Sequence, residues 1–277
     1  MSKKHASGPP YLSDLSVTEF LTLARLGFLP RGLVIGVCVY DAGFEQQTSG
    51  RRTQEIKQVG RAMRAARRLA VKRMREQAQQ QGAEGVVGVR LEVEHHRWRG
   101  GHVVARFVAV GTAIAYDRAH APPGCENAPS LALADGPFTS DLSGQDFVTL
   151  MRAGYRPVSV ALGNCVYEIS RLPLQGLWAK GNIEIDEYTQ AFMNARETAM
   201  QNLETDLESE LGSHGQKGKP DAAVGVVGMT VEEVAHAGAS NVIEYTAVGT
   251  AVARLREDDP RREKELPAPT VVVPLDG

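Results

Sequence analysis

The side chains able to hold a soft metal are few: Cys38 and Cys165, which sit at equivalent places in two apolar runs, and His95, His96 and His102 around a turn-rich segment. Zinc and its soft relatives are held by three or four Cys or His donors converging tetrahedrally, normally supplied in pairs such as C-x-x-C or H-x-x-x-H. The sequence contains no such pair, and neighbouring His95 and His96 would point to opposite faces of a regular strand. The two matched cysteines could share a metal only by meeting across a subunit interface. Covalent catalysis fares no better, because it needs a Ser or Cys beside a base that a third group orients. Ser13, Asp14, Ser16, Tyr40 and Thr112 recur with partners later in the chain, but Ser16 and Asp14 read as helix caps. Gly85-Val86-Val87-Gly88 lacks the Lys-Ser/Thr of a phosphate loop and leads into a strand. No catalytic residue and no cofactor are expected, and the protein reads as a non-enzyme.

The elements that position these residues occur twice. Residues 13–40 and 140–167 match at a constant offset of 127, pairing Phe20 with Phe147, Gly27 with Gly154, Gly36 with Gly163 and Cys38 with Cys165. Downstream, Gly85-Val86-Val87-Gly88-Val89 faces Gly225-Val226-Val227-Gly228-Met229, and Val110-Gly111-Thr112-Ala113 faces Val248-Gly249-Thr250-Ala251. In each copy a Ser followed three residues later by a carboxylate (Ser16 and Glu19, Ser143 and Asp146) caps a short helix that a glycine stops. An apolar strand follows (32–40; 158–167), then a long amphipathic helix (55–81; 185–211) and two strands (85–94 with 102–116; 223–233 with 241–255). The expected order is αβαββ, twice. Glycines 88, 111, 228 and 249 weaken strands unless a bulge or close neighbour requires them, and tight packing of the long helix or another subunit is the expected reason. The expected boundaries are 11–118 for the first repeat, 119–137 for a Pro-rich linker, 138–256 for the second repeat and 257–277 for a disordered tail. The apolar end of that tail, Val271-Val272-Val273, is a candidate to add a strand to a protein partner.

The copies differ most in charge. Between Arg51 and Glu76 there are ten cations against two carboxylates, whereas between Glu184 and Glu210 there are eight carboxylates against one cation. Arg61, Arg64, Arg68, Lys72 and Arg75 form a stripe opposite the apolar face, and Glu197, Glu204 and Glu208 lie on the acidic helix. The favoured reading is that basic and acidic helices face each other between copies or subunits and set register. The alternative is that residues 51–75 bind an anionic partner such as nucleic acid. That stripe lacks stacking aromatics, and the chain's net charge is only −2, so nucleic acid is disfavoured. Three cysteines in 277 residues suit a reducing compartment, and no run reaches the length of a membrane span, so a cytoplasmic location is expected.

The long helix, the segment Ala83-Glu84-Gly85-Val86-Val87-Gly88 and the closing Val110-Gly111-Thr112-Ala113, repeated in the second copy, resemble the YbjQ-like heavy-metal-binding domain family of bacterial-type proteins. The resemblance implies an α+β unit, a two-layer β-α-β-β module similar to dodecin subunits with an antiparallel sheet packed on one long helix. It also implies assembly into a ring, most often of five units. The expectation is therefore a tandem YbjQ-like, ring-forming homo-oligomeric scaffold of five or another number of chains, with metal binding as the alternative.

Overall fold

Ser16 ends an extended arm and starts helix α1 (Val17–Arg25), because its hydroxyl accepts from the Glu19 N–H at 3.2 Å while the Glu19 carboxylate accepts from the Ser16 N–H at 2.8 Å. At α3 (Gly144–Arg152) the Ser143 hydroxyl accepts from Asp146 N–H at 3.1 Å, but the shorter carboxylate turns onto that hydroxyl instead of reaching the cap backbone. Gly27 and Gly154 then reverse the chain with φ of +90° and +87°. The computed structural model that shows this describes residues 11–41, 53–97, 103–170, 184–214, 223–235 and 241–263.

Each module continues in the expected order. Strand β1 (Phe28–Asp41), a two-residue β2 (Gln54–Glu55), α2 (Lys57–Gln80), β3 (Gly85–Arg97) and β4 (Val103–Tyr116) make the first. After a two-residue β5 (Phe138–Thr139) and α3, the second has β6 (Tyr155–Glu168), α4 (Asp186–His214), β7 (Ala223–Ala235) and β8 (Val242–Arg254). The fold is α+β, with sheets ordered β1-β4-β3-β5 and β2-β6-β8-β7. The short strands cross over: β5 of the second module joins the first sheet beside β3, and β2 of the first joins the second sheet beside β6. The modules are thus interlocked.

Helix α2 lies between the sheets. One side buries Val59, Met63, Ala66, Ala70 and Met74 on β1 and β4, while the other packs on β6, so that Val160, Leu162 and Val166 share one core with them. Full burial of each large apolar side chain stabilises by about 1.5–3 kcal/mol. Helix α4 covers the far face of the second sheet, with Ala195, Ala199 and Leu203 against Ala161, Cys165 and Ala247. The layer order is first sheet, α2, second sheet, α4. A separate cluster of Leu23, Phe28, Phe138, Phe147 and Met151 joins α1 to α3.

The four strand glycines have reasons other than helix packing. Gly88 and Gly228 take φ of +63° and +65° at bulges where the register slips, and a side chain on Gly111 or Gly249 would strike Val86 or Val226 at 2.7 Å. The long helices cross Gly36 and Gly163 instead, where an added Cβ would stand 1.9 Å from the Ala70 carbonyl oxygen and 2.2 Å from that of Ala199. The Pro-rich segment between the modules is also tied down. Tyr116 donates to the Cys125 carbonyl at 2.7 Å, Leu131 N–H to Glu84 at 2.9 Å, and Arg261 to the Pro129 carbonyl at 2.8 Å. Arg261 and Asp259, within the stretch expected to begin a disordered tail, are buried as a pair at 2.7 Å. Residues 264–277, including the apolar end of the tail, lie outside the described residues.

Candidate functional site

The positions where chemistry could concentrate are the charged side of α2 and the surface it meets. Because α2 has one apolar side already committed to the first sheet, the arginines on its other side are driven onto the second sheet. Arg64 donates to the Asn164 carbonyl at 2.8 Å and to the Asn164 side-chain oxygen at 3.2 Å. Arg67 is fully buried, 2.7 Å from the Glu244 carboxylate and stacked 5.2 Å over the Phe107 ring. Asn164 donates to the same Glu244 at 3.1 Å. Arg68 pairs with Asp206, which reaches past the sheet edge from α4 and also accepts from the Leu162 N–H at 3.3 Å. Arg75 grips Asp135 at 2.5 Å and the Pro137 carbonyl at 2.6 Å.

The two charged helices do not face one another, because the second sheet stands between them. Arg61 and Lys72 stay exposed on α2, as do Glu197, Glu204 and Glu208 on α4. Burial drives the Arg64 guanidinium below its ordinary pKa, and Glu55 opposes that shift. Sequence reasoning missed Arg67, Asn164 and Glu244, whose signal is an arginine within an amphipathic helix and two polar residues at strand positions where one module alone would expose them.

Repeated Ser, Asp and Thr residues make a second polar device. Thr112 donates to Asp14 and receives the Asp14 N–H at 3.4 Å, with Ser13 at 3.3 Å; Thr250 does the same with Asp141 and Ser140. Asp14 therefore anchors the arm before α1 to β4 and pairs with Arg90 at 2.8 Å, in place of the capping role expected of it. Asp141 is more enclosed, and burial pushes its carboxyl above the usual range against the Thr250 hydrogen bond. A cleft of about 490 Å³ opens here between the modules, lined in part by Arg67, Arg90, Glu92, Asp141 and Glu232, so its charges are of both signs.

The soft donors among the described residues do not converge. Cys38 packs in the core around α2, whereas Cys165 lies across the second sheet under α4. Burial, with Glu55 nearby, pushes the Cys165 thiol up to about 12, so it is held as a neutral thiol. Cys125, in the Pro-rich segment between the modules, is buried with its sulfur 3.4 Å from the Pro260 carbonyl. The side chains of His95 and His96, and all of His102, lie outside the described residues. Among the described residues no three His, Cys, Asp or Glu side chains are grouped to hold a metal ion. With all three thiols buried, a thiol reagent at pH 8 is expected to modify none of them in the folded protein and three after guanidinium unfolding. Stoichiometric labelling of the native protein would show that a cysteine is accessible.

The pattern of the family described as "Putative heavy-metal-binding" (YbjQ) matches residues 34–117, from β1 through β4. A Mycobacterium tuberculosis protein named Encapsulin nanocompartment protein Rv1762c is 38% identical over 270 residues, which cover 96% of this chain and 92% of that protein. This chain belongs to one family with that protein, and its residues 34–117 are a YbjQ-like domain. The matched stretch takes in the first strand, long helix and closing hairpin of the YbjQ-like module, with Cys38 as its one cysteine. The donor arrangement in the described residues does not fit a metal centre, and no chemistry is assigned through one. No helix among the described residues is long and apolar enough to cross a membrane.

Proposed function

We propose that the protein is a non-enzymatic, homo-oligomeric scaffold whose two YbjQ-like modules alternate around a closed ring. The observation that carries this reading is the outer face of the first sheet, where Ile35, Val37 and Val39 stand exposed side by side on β1. Scattered apolar residues on a surface are ordinary, but a contiguous apolar sheet face marks an association site. The name of the relative from Mycobacterium tuberculosis, a nanocompartment protein, supports a role in a self-assembled structure. A ring of five chains follows the YbjQ-like habit, a cytoplasmic location fits the reduced cysteines, and the basic helix serves the joint between modules more than any nucleic acid. Arg64, Arg67, Arg68 and Arg75 already hold partners within the chain.

Native mass spectrometry tests this. The expected result is one species at an integer multiple of 29.9 kDa, five for the favoured ring, unchanged after EDTA and without a bound metal. A chain that remains a monomer at micromolar concentration overturns the proposal, and an assembly that dissolves in EDTA overturns its metal-free form.

A further inference from the structure

We propose that the joint between the two modules of one chain is repeated between chains, with α4 of one copy seated on the open face of the next copy's first sheet. The inference rests on the reading of the protein as a homo-oligomer and names the surfaces that make it.

The duplication supplies the argument. Within the chain, α2 of the first module covers one face of the second module's sheet, and the arm at 138–142 of the second module is laid on the β3 edge of the first. That arm is held by Ser140 N–H to the Val86 carbonyl at 2.9 Å and by Gly88 N–H to the Leu142 carbonyl at 2.9 Å. Applied once more, the same step sends α4 onto the first sheet of a second copy and brings that copy's arm, residues 11–15, onto the β7 edge. Among the described residues, each of these four surfaces carries exposed large apolar side chains: Ile35, Val37 and Val39 on the sheet, Met193 on α4, Tyr11 and Leu12 on the arm, and Val224 and Met229 on β7.

Exposure separates the equivalent residues sharply. Ile35, Val37 and Val39 are 47%, 39% and 60% exposed, whereas their counterparts Leu162, Asn164 and Val166 under α2 are 3%, 0% and 0% exposed. Tyr11 and Leu12 of the first arm are exposed; Phe138 and Thr139 of the second are buried against β3. Met229 on β7 is exposed, and its counterpart Val89 on β3 is buried.

The chemistry of the pairs changes together. The crossings at Gly36 and Gly163 align Ala70 with Ala199, which aligns Arg64 with Met193. Inside the chain the helix offers Arg64 to Asn164, a polar pair. Between chains it would offer Met193, 61% exposed, to Val37, an apolar pair. At the edge, Gly85 is where an added Cβ would stand 2.1 Å from the Phe138 ring. Its counterpart Gly225 has nothing within 4 Å, and a neighbour's Tyr11 would occupy that space. Such a contact joins two different surfaces, so it propagates head to tail and makes a ring when its rotation closes.

The test uses Val37→Asp and Met193→Asp, both at exposed positions, compared with wild type by native mass spectrometry. Each variant alone is expected at 29.9 kDa, and an equimolar mixture at twice that mass and no larger, because each supplies the surface the other lacks. A Val37→Cys/Met193→Cys chain is expected to form covalent multimers on oxidation, with wild type forming none. If wild type assembles and V37D assembles equally, or the mixture stays monomeric, the joint is elsewhere and this inference is overturned while the scaffold reading stands. A monomeric wild type overturns both.

Discussion

Glu244→Leu is expected to destabilise the protein by about 3–5 kcal/mol, the cost of leaving a buried charge without its partner. The charge left behind is Arg67, which has Glu244 at 2.7 Å and the Phe107 ring face, and whose Nε and Nη1 have no hydrogen-bond acceptor among the described residues. Arg67 and Glu244 are both buried, 2% and 0% exposed, so the charge left behind stays in a poorly solvated place even though Arg67 borders the cleft between the modules. Asn164, which donates to Glu244 and accepts from Arg64, loses one of its bonds as well. The double variant Arg67→Met/Glu244→Leu removes both charges and is expected to recover most of the loss, since apolar replacements of a buried pair are often neutral. Denaturant titration of wild type, both single variants and the double variant at one protein concentration measures the coupling. A loss below about 1 kcal/mol for E244L would mean that the pair does not hold the modules together.

Why this pair escaped the sequence while so much else did not follows from where each signal resides. The duplication, the capping serines, the stopping glycines and the period of α2 are local patterns, and the structure places α1, α2 and β6 within a few residues of where those patterns put them. The α+β fold and the YbjQ-like module were legible for the same reason. Burial of a polar residue is not local. Asn164 and Glu244 look solvent-facing in any one module, and only the arrival of α2 from the other module encloses them. The same limit made the charge asymmetry misleading: eight cations on α2 and seven carboxylates on α4 suggest that the helices touch, yet among the described residues α2 is answered by Glu244 and Asn164 of the second sheet, and by Asp206 from α4. Strand exchange through β2 and β5 is also invisible in sequence, since two residues carry no period.

Gly36→Ala should cost about 3 kcal/mol or more, at the upper end of what overpacking does. Ordinarily the change would stabilise a strand, because alanine loses less conformational freedom on folding than glycine. Here the new methyl group would stand 1.9 Å from the Ala70 carbonyl oxygen and 2.5 Å from the Met74 nitrogen, so it meets helix backbone and not a side chain that can turn away. Relief therefore requires α2 to lift from the first sheet. That helix has no room to lift, because its other side carries Arg64 and Arg67 on the second sheet, and any movement stretches the bonds to Asn164 and Glu244. The strain at one glycine is passed to the joint between modules. Gly163→Ala, which meets Ala199 and Leu203 backbone at 2.2 and 2.6 Å, is expected to behave alike under α4. Thermal unfolding at fixed protein concentration reads both, with a shift of roughly 2–4 °C per kcal/mol for a protein of about this size. A Gly36→Ala protein as stable as wild type would mean that α2 does not lie in contact with β1, and the layered arrangement of sheet, helix, sheet and helix would have to be abandoned.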